Sequence, residues 1–263
     1  MEFSSVLLAV ACSMFAFAMT TLGSSFVYLI KQPGKKIVTQ ISLGFAAGIM
    51  LSAAFWGLII PAFEKAEELS LNAQLHVTLG IVVGIAFLIL LDKSLPHLHI
   101  LAKTPEGPHI TLSKKILILS AITIHNIPEG MAIGISAVAV SSFTDPAYAS
   151  AVMLSVGIGI QNIPEGCAVS VPFFAEGTTK NRSFLLGMFS GIVEPIAAIA
   201  VAIFAAGNTE LLPFMLAFAA GAMLYVVIEE LIPEAHLAGH SDIGTISVLS
   251  GFTLMMILDT AFG

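Results

Sequence analysis

Two six-residue motifs, HNIPEG at positions 125–130 and QNIPEG at positions 161–166, place nitrogen and oxygen donors inside apolar stretches of the sequence. Residues four apart on a helix share one face, and residues three apart lie next to each other on it. The first, second and fifth positions of each motif can therefore point to one place; they are His125, Asn126 and Glu129, and Gln161, Asn162 and Glu165. Ionisable groups at membrane depth cost roughly 2.5–3.5 kcal/mol each on insertion scales, so they indicate a functional site. Imidazole, amide and carboxylate groups converging from two helices predict a divalent-cation site.

A third carboxylate, Glu194, lies in the next apolar stretch and is followed by Pro195. Three carboxylates in a medium of low dielectric constant need compensating charge, because otherwise they protonate or destabilise the fold. Two divalent cations bridged by Glu129 and Glu165 would balance this charge. The alternative is a hydrogen-bonded polar network that only locks the helices together. Each motif proline is expected to kink its helix, and each motif glycine is expected to admit another backbone or an ion.

The composition is that of an integral membrane protein. Of the 263 residues, 57% are hydrophobic and 10% are charged, and the mean hydropathy is +0.98, whereas a soluble domain carries about 25% charged residues. No basic patch with interleaved aromatic residues occurs, so no nucleic-acid partner is predicted. No Walker A loop occurs either, so no ATP drive is expected within this chain. We predict a multi-pass protein of the cell membrane, and of the inner membrane if the source is bacterial.

Windows of about 20 apolar residues predict eight transmembrane helices in one all-α membrane domain over residues 1–263. The predicted spans are at about 4–30, 37–63, 73–95, 114–141, 146–174, 183–207, 211–234 and 243–262. Nine of the ten basic residues fall on one side of the membrane if these helices alternate, and Lys65 is the exception. The positive-inside rule then places both termini outside the cytoplasm.

The two motifs start 36 residues apart, on consecutive helices that must run antiparallel. Repeats of opposite topology around a site at the bilayer midplane are typical of secondary transporters. The sequence therefore predicts an inverted-repeat organisation with the metal site at its centre.

HNIPEG followed by QNIPEG, with Glu194 on the next helix, resembles the ZIP (zinc–iron permease, Zrt/Irt-like) family of divalent-metal transporters, in its bacterial branch. The resemblance covers the whole chain. It implies a two-metal centre on helices 4, 5 and 6, transport of metal into the cytoplasm, and a homodimer. It also implies alternating access, in which helices 1, 4, 5 and 6 move against helices 2, 3, 7 and 8. The donors suit zinc foremost, and also iron, manganese, cobalt and cadmium, as the bound substrate; no prosthetic group is expected.

The resemblance assigns ligands to each ion by position. The first ion would be held by His125, Glu129, Gln161 and Glu165, and the second by Asn126, Glu129, Asn162, Glu165 and Glu194. Asn162 lacks the charge that many family members carry at one of these positions.

Further residues lie outside these two sets. Met50 resembles a family methionine that approaches the first ion, and filling a gap in the core is its alternative role. His97, His99 and His236 resemble histidines at the cytoplasmic exit, with solvated loop histidines as the alternative. Glu229 and Glu230, inside the seventh predicted helix, either line the cytoplasmic pathway or pair with buried polar groups.

Two other functions fit a buried metal site. An intramembrane metallohydrolase would need a retained metal and a general base, but the H-E-x-x-H motif is absent, as is the G-x-S-x-G elbow. A channel-like cation pathway would differ from a carrier by flux that approaches diffusive rates. We therefore predict a transporter and not an enzyme.

Overall fold

The computed structural model describes residues 4–30, 36–96, 114–175, 177–236 and 241–262, and within these residues it contains helices and no strand. We number the helices as follows: α1, Ser5–Ser25; α2, Lys36–Ser52 continuing through a π-helical segment Ala53–Ile59 into Ile60–Glu68; α3, Ala73–Ser94; α4, Lys114–Ala139; α5, Pro146–Ala175; α6, Lys180–Ser190 and Val193–Ala206; α7, Leu212–Val226 continuing through a π-helical segment Val227–Leu231 into Ile232–Ala235; and α8, Asp242–Phe262. Short 3₁₀ segments, Phe26–Tyr28 and Thr209–Leu211, adjoin α1 and α7.

All eight predicted spans correspond to helices of this structure. In the described residues, seven helical stretches are long and apolar enough to cross a membrane. The remaining one, α4, has 26 residues, which correspond to about 39 Å of helix. The prediction of an all-α membrane protein is therefore confirmed.

Two spans differ from the prediction. The second helix runs to Glu68 and not to about residue 63, and Pro61 falls in its first turn after the π-helical segment, where the missing N–H is tolerated. That helix ends where Ser70 adopts a positive φ of 55°. The sixth span is broken at residues 191–192, where the predicted helix was continuous.

The start of α5 is fixed by Asp145. Its Oδ1 atom accepts the N–H of Ala147 at 2.9 Å, and its Oδ2 atom accepts the hydroxyl of Ser141 at 2.5 Å and the N–H of Ser141 at 2.8 Å. Pro146 follows as the first helical residue, where its fixed φ suits the helix. Hydrogen bonds from the Ser141 hydroxyl, and then from backbone N–H groups, hold the pKa of Asp145 below its usual value.

Glycines mark where helices approach most closely. A Cβ at Gly130 or Gly134 of α4 would collide with the carbonyl oxygens of Glu194 or Ala198 of α6. Because the residue numbers rise together, α4 and α6 run parallel. The same reasoning pairs α1 with α5, α2 with α8, and α3 with α7. Every such pair joins two odd-numbered or two even-numbered helices, as an alternating up-and-down chain requires.

The helices fall into two groups, one of α1, α4, α5 and α6 and the other of α2, α3, α7 and α8. Among the described glycines, those that press on a backbone of another helix do so within one group. Between the groups, Gly57 of α2 faces the side chain of Leu154 on α5, and Gly157 of α5 faces the side chain of Met255 on α8. Side-chain contacts can slide more readily than interlocked backbones, so the packing supports the predicted division into two moving groups.

The pairing also has the symmetry of an inverted repeat. Exchanging α1 with α6, α2 with α7, α3 with α8 and α4 with α5 converts each parallel pair into another observed pair. The exchange also pairs the π-helical segment of α2 with that of α7. Each of these segments is followed by a proline, Pro61 or Pro233. The two motifs lie on α4 and α5, the central pair of this arrangement.

Candidate metal centre

The two motifs and Glu194 meet in the interior of the first helix group. Asn126, Glu129, Gln161, Asn162, Glu165 and Glu194 are all at least nine-tenths buried, and the side chain of His125 is 12% exposed. Both α4 and α5 stay α-helical through Pro128 and Pro164. The structure thus brings Asn126, Glu129, Gln161, Asn162 and Glu165 together but not His125, whose ring faces α7. The break in regular helix occurs in α6, directly before Glu194.

Glu129 and Gln161 connect the two motif helices. The amide nitrogen of Gln161 donates to Oε1 of Glu129 at 2.6 Å. Both side chains are fully buried. This bond uses one polar atom of each side chain and leaves Oε1 of Gln161 and Oε2 of Glu129 outside it.

Glu194 accepts three hydrogen bonds from three different helices. Asn126 of α4 donates to its Oε1 atom at 3.3 Å, Asn162 of α5 donates to its Oε2 atom at 2.8 Å, and Thr20 of α1 donates to its Oε1 atom at 3.2 Å. Asn126 also donates to the carbonyl of Ser190 at 3.1 Å, which fixes which end of its amide is the nitrogen. Glu194 thus orients both motif asparagines with their nitrogens towards itself.

Four buried oxygens of this group have no hydrogen-bond partner among the described residues. They are Oδ1 of Asn126, Oε2 of Glu129, Oε1 of Gln161 and Oδ1 of Asn162. A buried polar atom that has no partner costs about 1–3 kcal/mol, so four in one centre need an explanation. Oxygen atoms of carboxylates and amides are ligands for divalent cations, and a passing cation would satisfy them.

The charge of the centre points the same way. Glu165 lies close enough to Glu129, Glu194 and His125 to interact with them electrostatically. No Lys or Arg in the described part of the chain forms a salt bridge with these three carboxylates. The same residues contain no group of three His, Cys, Asp or Glu side chains that could hold an ion by themselves. The amide oxygens of Asn126, Gln161 and Asn162 lie in the same centre and are further potential donors.

His125 faces away from this cluster of amides and towards α7. Its Nε2 atom contacts Oε1 of Glu230, which is buried, whereas the neighbouring Glu229 is exposed. Glu230 belongs to the π-helical segment Val227–Leu231, and such segments often occur at functional sites because they reorient side chains. This contact crosses between the two helix groups, and of the two roles predicted for Glu230 it supports pairing with a buried polar group.

The structure describes two of the four remaining predicted residues, Met50 and His236. Met50 is fully buried in the apolar core. In His236, Nδ1 lies 2.8 Å from the carbonyl of Ile232 and Nε2 lies 3.1 Å from the hydroxyl of Thr245. Because a carbonyl can only accept, the Nδ1–H group of His236 donates to Ile232. His97 and His99 lie outside the described residues.

The two sides of the centre differ in polarity. Towards the C-terminal end of α4 and the N-terminal end of α5, Ile133, Leu154 and Ile158 are fully buried side chains of the apolar core. Towards the N-terminal end of α4, polar groups follow, with Glu230 next to His125 and the hydroxyl of Tyr225 donating to Asp92 at 3.4 Å. Carboxylates of α3 and α7 thus lie towards the N-terminal end of α4, and bulky apolar side chains lie towards its C-terminal end.

The sequence prediction missed Thr20 and Ser190, which bind the side chains of the centre from α1 and α6. Membrane helices contain many hydroxyls that only bond their own backbone, as Ser13 does to Ala9 and Ser155 does to Ala151. Nothing in the spacing distinguishes Thr20 from these residues, so only the packing of α1 on α6 identifies it.

Comparisons with known proteins give one consistent result. Residues 102–259 match the model of the family described as ZIP Zinc transporter. The chain is 32% identical to the human protein "Zinc transporter ZIP11", over 99% of this chain and 98% of that protein. It is 34% identical to "Zinc transporter GufA" of Myxococcus xanthus, over 95% of this chain and 97% of that protein. It is 35% identical to "Zinc transporter ZIPB" of Bordetella bronchiseptica, over 94% of this chain and 79% of that protein.

Proposed function

Because this chain belongs to the ZIP family of zinc transporters, we propose that it carries zinc and similar divalent cations across the membrane through the centre on α4, α5 and α6. Relatives that are aligned over almost their whole length are named as zinc transporters, and this supports a transporter rather than an enzyme. Zinc is the first choice of substrate, and other divalent transition metals with the same ligand preferences are expected to compete with it.

The observation that carries the proposal is a set of four oxygens without a hydrogen-bond partner among the described residues, in a buried centre that also contains three carboxyl groups. A cation that lies between α4 and α5 would receive oxygen from Glu129 and Gln161, together with Glu165. A second cation on the side of α6 would receive oxygen from Asn126 and Asn162, together with the shared carboxylates and Glu194. A hydrogen-bonded network without metal would leave these oxygens unsatisfied, so the metal site is favoured over that alternative.

His125 would need to move in order to bind the first cation, since its Nε2 atom now contacts Glu230. The same movement would release the contact between α4 and α7, and hence a link between the two helix groups. Amide and carboxylate ligands without thiolates favour moderate affinity, which a carrier needs in order to release its cargo. We expect metal to pass from the centre towards the polar side, which the positive-inside rule assigns to the cytoplasm.

Metal uptake into liposomes that contain the purified protein tests this function. Wild type should take up zinc with saturation, and Glu129→Ala should abolish uptake although it inserts into the liposomes at the same density. A matched control is Glu64→Ala, which removes a carboxylate from the amphipathic end of α2. Unchanged uptake by Glu129→Ala would contradict the proposal. Flux that does not saturate would favour a channel-like pathway instead.

The quaternary structure is a separate part of the proposal. We expect a homodimer, because the family resemblance implies one. Light scattering of the detergent-solubilised protein, corrected for bound detergent, would give the mass of the protein component. A component of one chain, about 27.5 kDa, would contradict this expectation.

A further inference from the structure

We propose that Thr20 of α1 is a positioning residue of the metal centre, which acts by holding Glu194 against the two motif asparagines. This inference rests on the proposed function and adds a fourth helix to a centre that the sequence assigns to α4, α5 and α6. Thr20 does not contact the partnerless oxygens. It contacts the carboxylate that orients two of the side chains carrying them.

The hydroxyl of Thr20 has two acceptors. It lies 3.2 Å from Oε1 of Glu194 and 3.3 Å from the carbonyl of Ala16, one turn earlier on its own helix. The side chain is 1% exposed, so no solvent competes for this donor. The next residue, Thr21, bonds only the carbonyl of Phe17, at 2.9 Å. Thr20 therefore differs from its neighbour by reaching across to α6.

Two glycines hold Thr20 in place. A Cβ at Gly191 would lie 2.9 Å from Cγ2 of Thr20 and 3.0 Å from Oε1 of Glu194. A Cβ at Gly166, the last residue of the second motif, would collide with the carbonyl of Thr20. These glycines let α1 approach α5 and α6 closely enough for the hydroxyl to reach the carboxylate. Both the close packing around it and its hydrogen bond to Glu194 thus hold the Thr20 side chain in one position.

The inverted repeat gives Thr20 a counterpart. The glycine of the first motif, Gly130, packs on the carbonyl of Glu194, and the glycine of the second motif, Gly166, packs on the carbonyl of Thr20. Thr20 on α1 therefore occupies the position that Glu194 occupies on α6. A carboxylate stands on one side of the repeat and a hydroxyl on the other. The charge that would attract the second ion lies on the α6 side, on Glu194, and the Thr20 hydroxyl donates a hydrogen bond to that carboxylate.

Loss of the Thr20 hydroxyl would affect the two motif asparagines through Glu194. Asn126 and Asn162 both donate an N–H to this carboxylate, so their Oδ1 atoms point away from it, and these two oxygens have no partner. Without the Thr20 hydroxyl, the carboxylate of Glu194 can rotate, and both amides lose a fixed acceptor. Asn162 also donates to the carbonyl of Ala16 at 3.4 Å, which makes α1 a second support for the same amide.

The test compares two identical substitutions on adjacent residues. Thr20→Val keeps the shape of the side chain and removes the hydroxyl, and Thr21→Val does the same to a hydroxyl that bonds only its own helix. We expect zinc binding to purified protein, measured by calorimetry, to weaken about tenfold in Thr20→Val and to stay unchanged in Thr21→Val. Thr20→Ser should restore the wild-type affinity. A merely structural role would lower the thermal midpoint of Thr20→Val and leave its zinc affinity equal to that of wild type.

Each result decides the matter. Wild-type zinc affinity in Thr20→Val, or a loss in Thr20→Ser equal to that in Thr20→Val, overturns the role of Thr20 while zinc binding by the wild type keeps the proposed function intact. Absence of zinc binding in wild type and in Thr21→Val overturns both. If Thr20→Val cannot be obtained folded, Thr20→Ala replaces it, since alanine also lacks the hydroxyl and adds no metal ligand. Wild-type zinc affinity in Thr20→Ala then overturns the inference.

Discussion

A buried carboxylate whose role is to bind metal should lower the stability of the metal-free protein, because nothing then compensates the cost of burying it. Glu129 tests this directly, because it is fully buried and Gln has almost the same shape. In Glu129→Gln the new carbonyl can still accept the N–H of Gln161, which now donates to Oε1 at 2.6 Å. The new N–H₂ group replaces Oε2, an atom that has no partner among the described residues and lies in a centre with other partnerless oxygens. No hydrogen bond is lost, and one of three neighbouring buried carboxyl groups is replaced by a neutral amide.

The magnitude follows from the cost of buried charge. Replacing a buried ion pair by well-packed apolar residues of similar volume often stabilises a protein by about 1–4 kcal/mol. Taking about 2 kcal/mol for one carboxyl group of this cluster, the thermal midpoint of the metal-free protein should rise by about 6 °C. Zinc at a hundred times its dissociation constant should stabilise wild type by about 2.7 kcal/mol, or about 8 °C. Glu129→Gln should bind zinc about a hundredfold more weakly and lose nearly all of that shift.

The order of stability should therefore reverse with zinc. Thermal unfolding of detergent-purified protein, followed with chelator and with excess zinc, measures both midpoints. Asp259→Asn is the matched control, since Asp259 of α8 is 8% exposed and has an oxygen without a partner, but it lies outside the centre. It should raise the midpoint without zinc and keep the whole zinc shift. An unaltered zinc shift in Glu129→Gln, or a lower midpoint without zinc, would refute the reasoning.

Three further predictions address the centre and its supports. Asn162→Asp adds a carboxylate beside the second ion and should tighten zinc binding about tenfold in calorimetry; an unchanged affinity would argue against an ion at this position. Gly130→Ala pushes a methyl group into the backbone of α6 and should destabilise the protein by about 1–3 kcal/mol, whereas Gly207→Ala, with only one atom within 4 Å of its Cβ, should leave the midpoint nearly unchanged. The pKa of Asp145 is lowered by its hydrogen bonds, so its carboxylate should stabilise the start of α5 above pH about 4 and lose that effect as the pH falls further. Hydrogen exchange at the start of α5 should therefore accelerate below pH about 4. Asp145→Asn should show no such step.

Much of the centre follows from helical spacing alone. In both motifs the first, second and fifth residues fall on one side of a helix, and the cost of burying them in hydrocarbon gives that side a function. This is why the buried positions of Asn126, Glu129, Gln161 and Asn162 could be predicted from the sequence. The predicted alternation of the helices also follows from local information, since the loops between most spans are short.

The rest depends on contacts between helices that are distant in sequence. The break in α6 before Glu194 lies where Gly191 approaches Thr20 closely. The sequence pattern of a single helix does not predict such a contact with another helix. The contact of His125 with Glu230 depends on a π-helical segment, which adds a residue to a turn and shifts the side chains that follow. The sequence therefore predicted the donors on α4, α5 and α6 and offered pairing as one role of Glu230, but it did not predict the support from α1.

The distribution of polar contacts between the helix groups has a mechanical consequence. Within the first group, Glu194 joins α1, α4, α5 and α6 through three hydrogen bonds, so the oxygens that face the cation can move as one unit. The polar link described from this centre to the second group is the contact of His125 with Glu230. If His125 turns to bind a cation, that link is released, and apolar side chains such as Leu154 at Gly57 remain between the groups. Binding of cargo and freedom of the first group to move would then be coupled through a single imidazole.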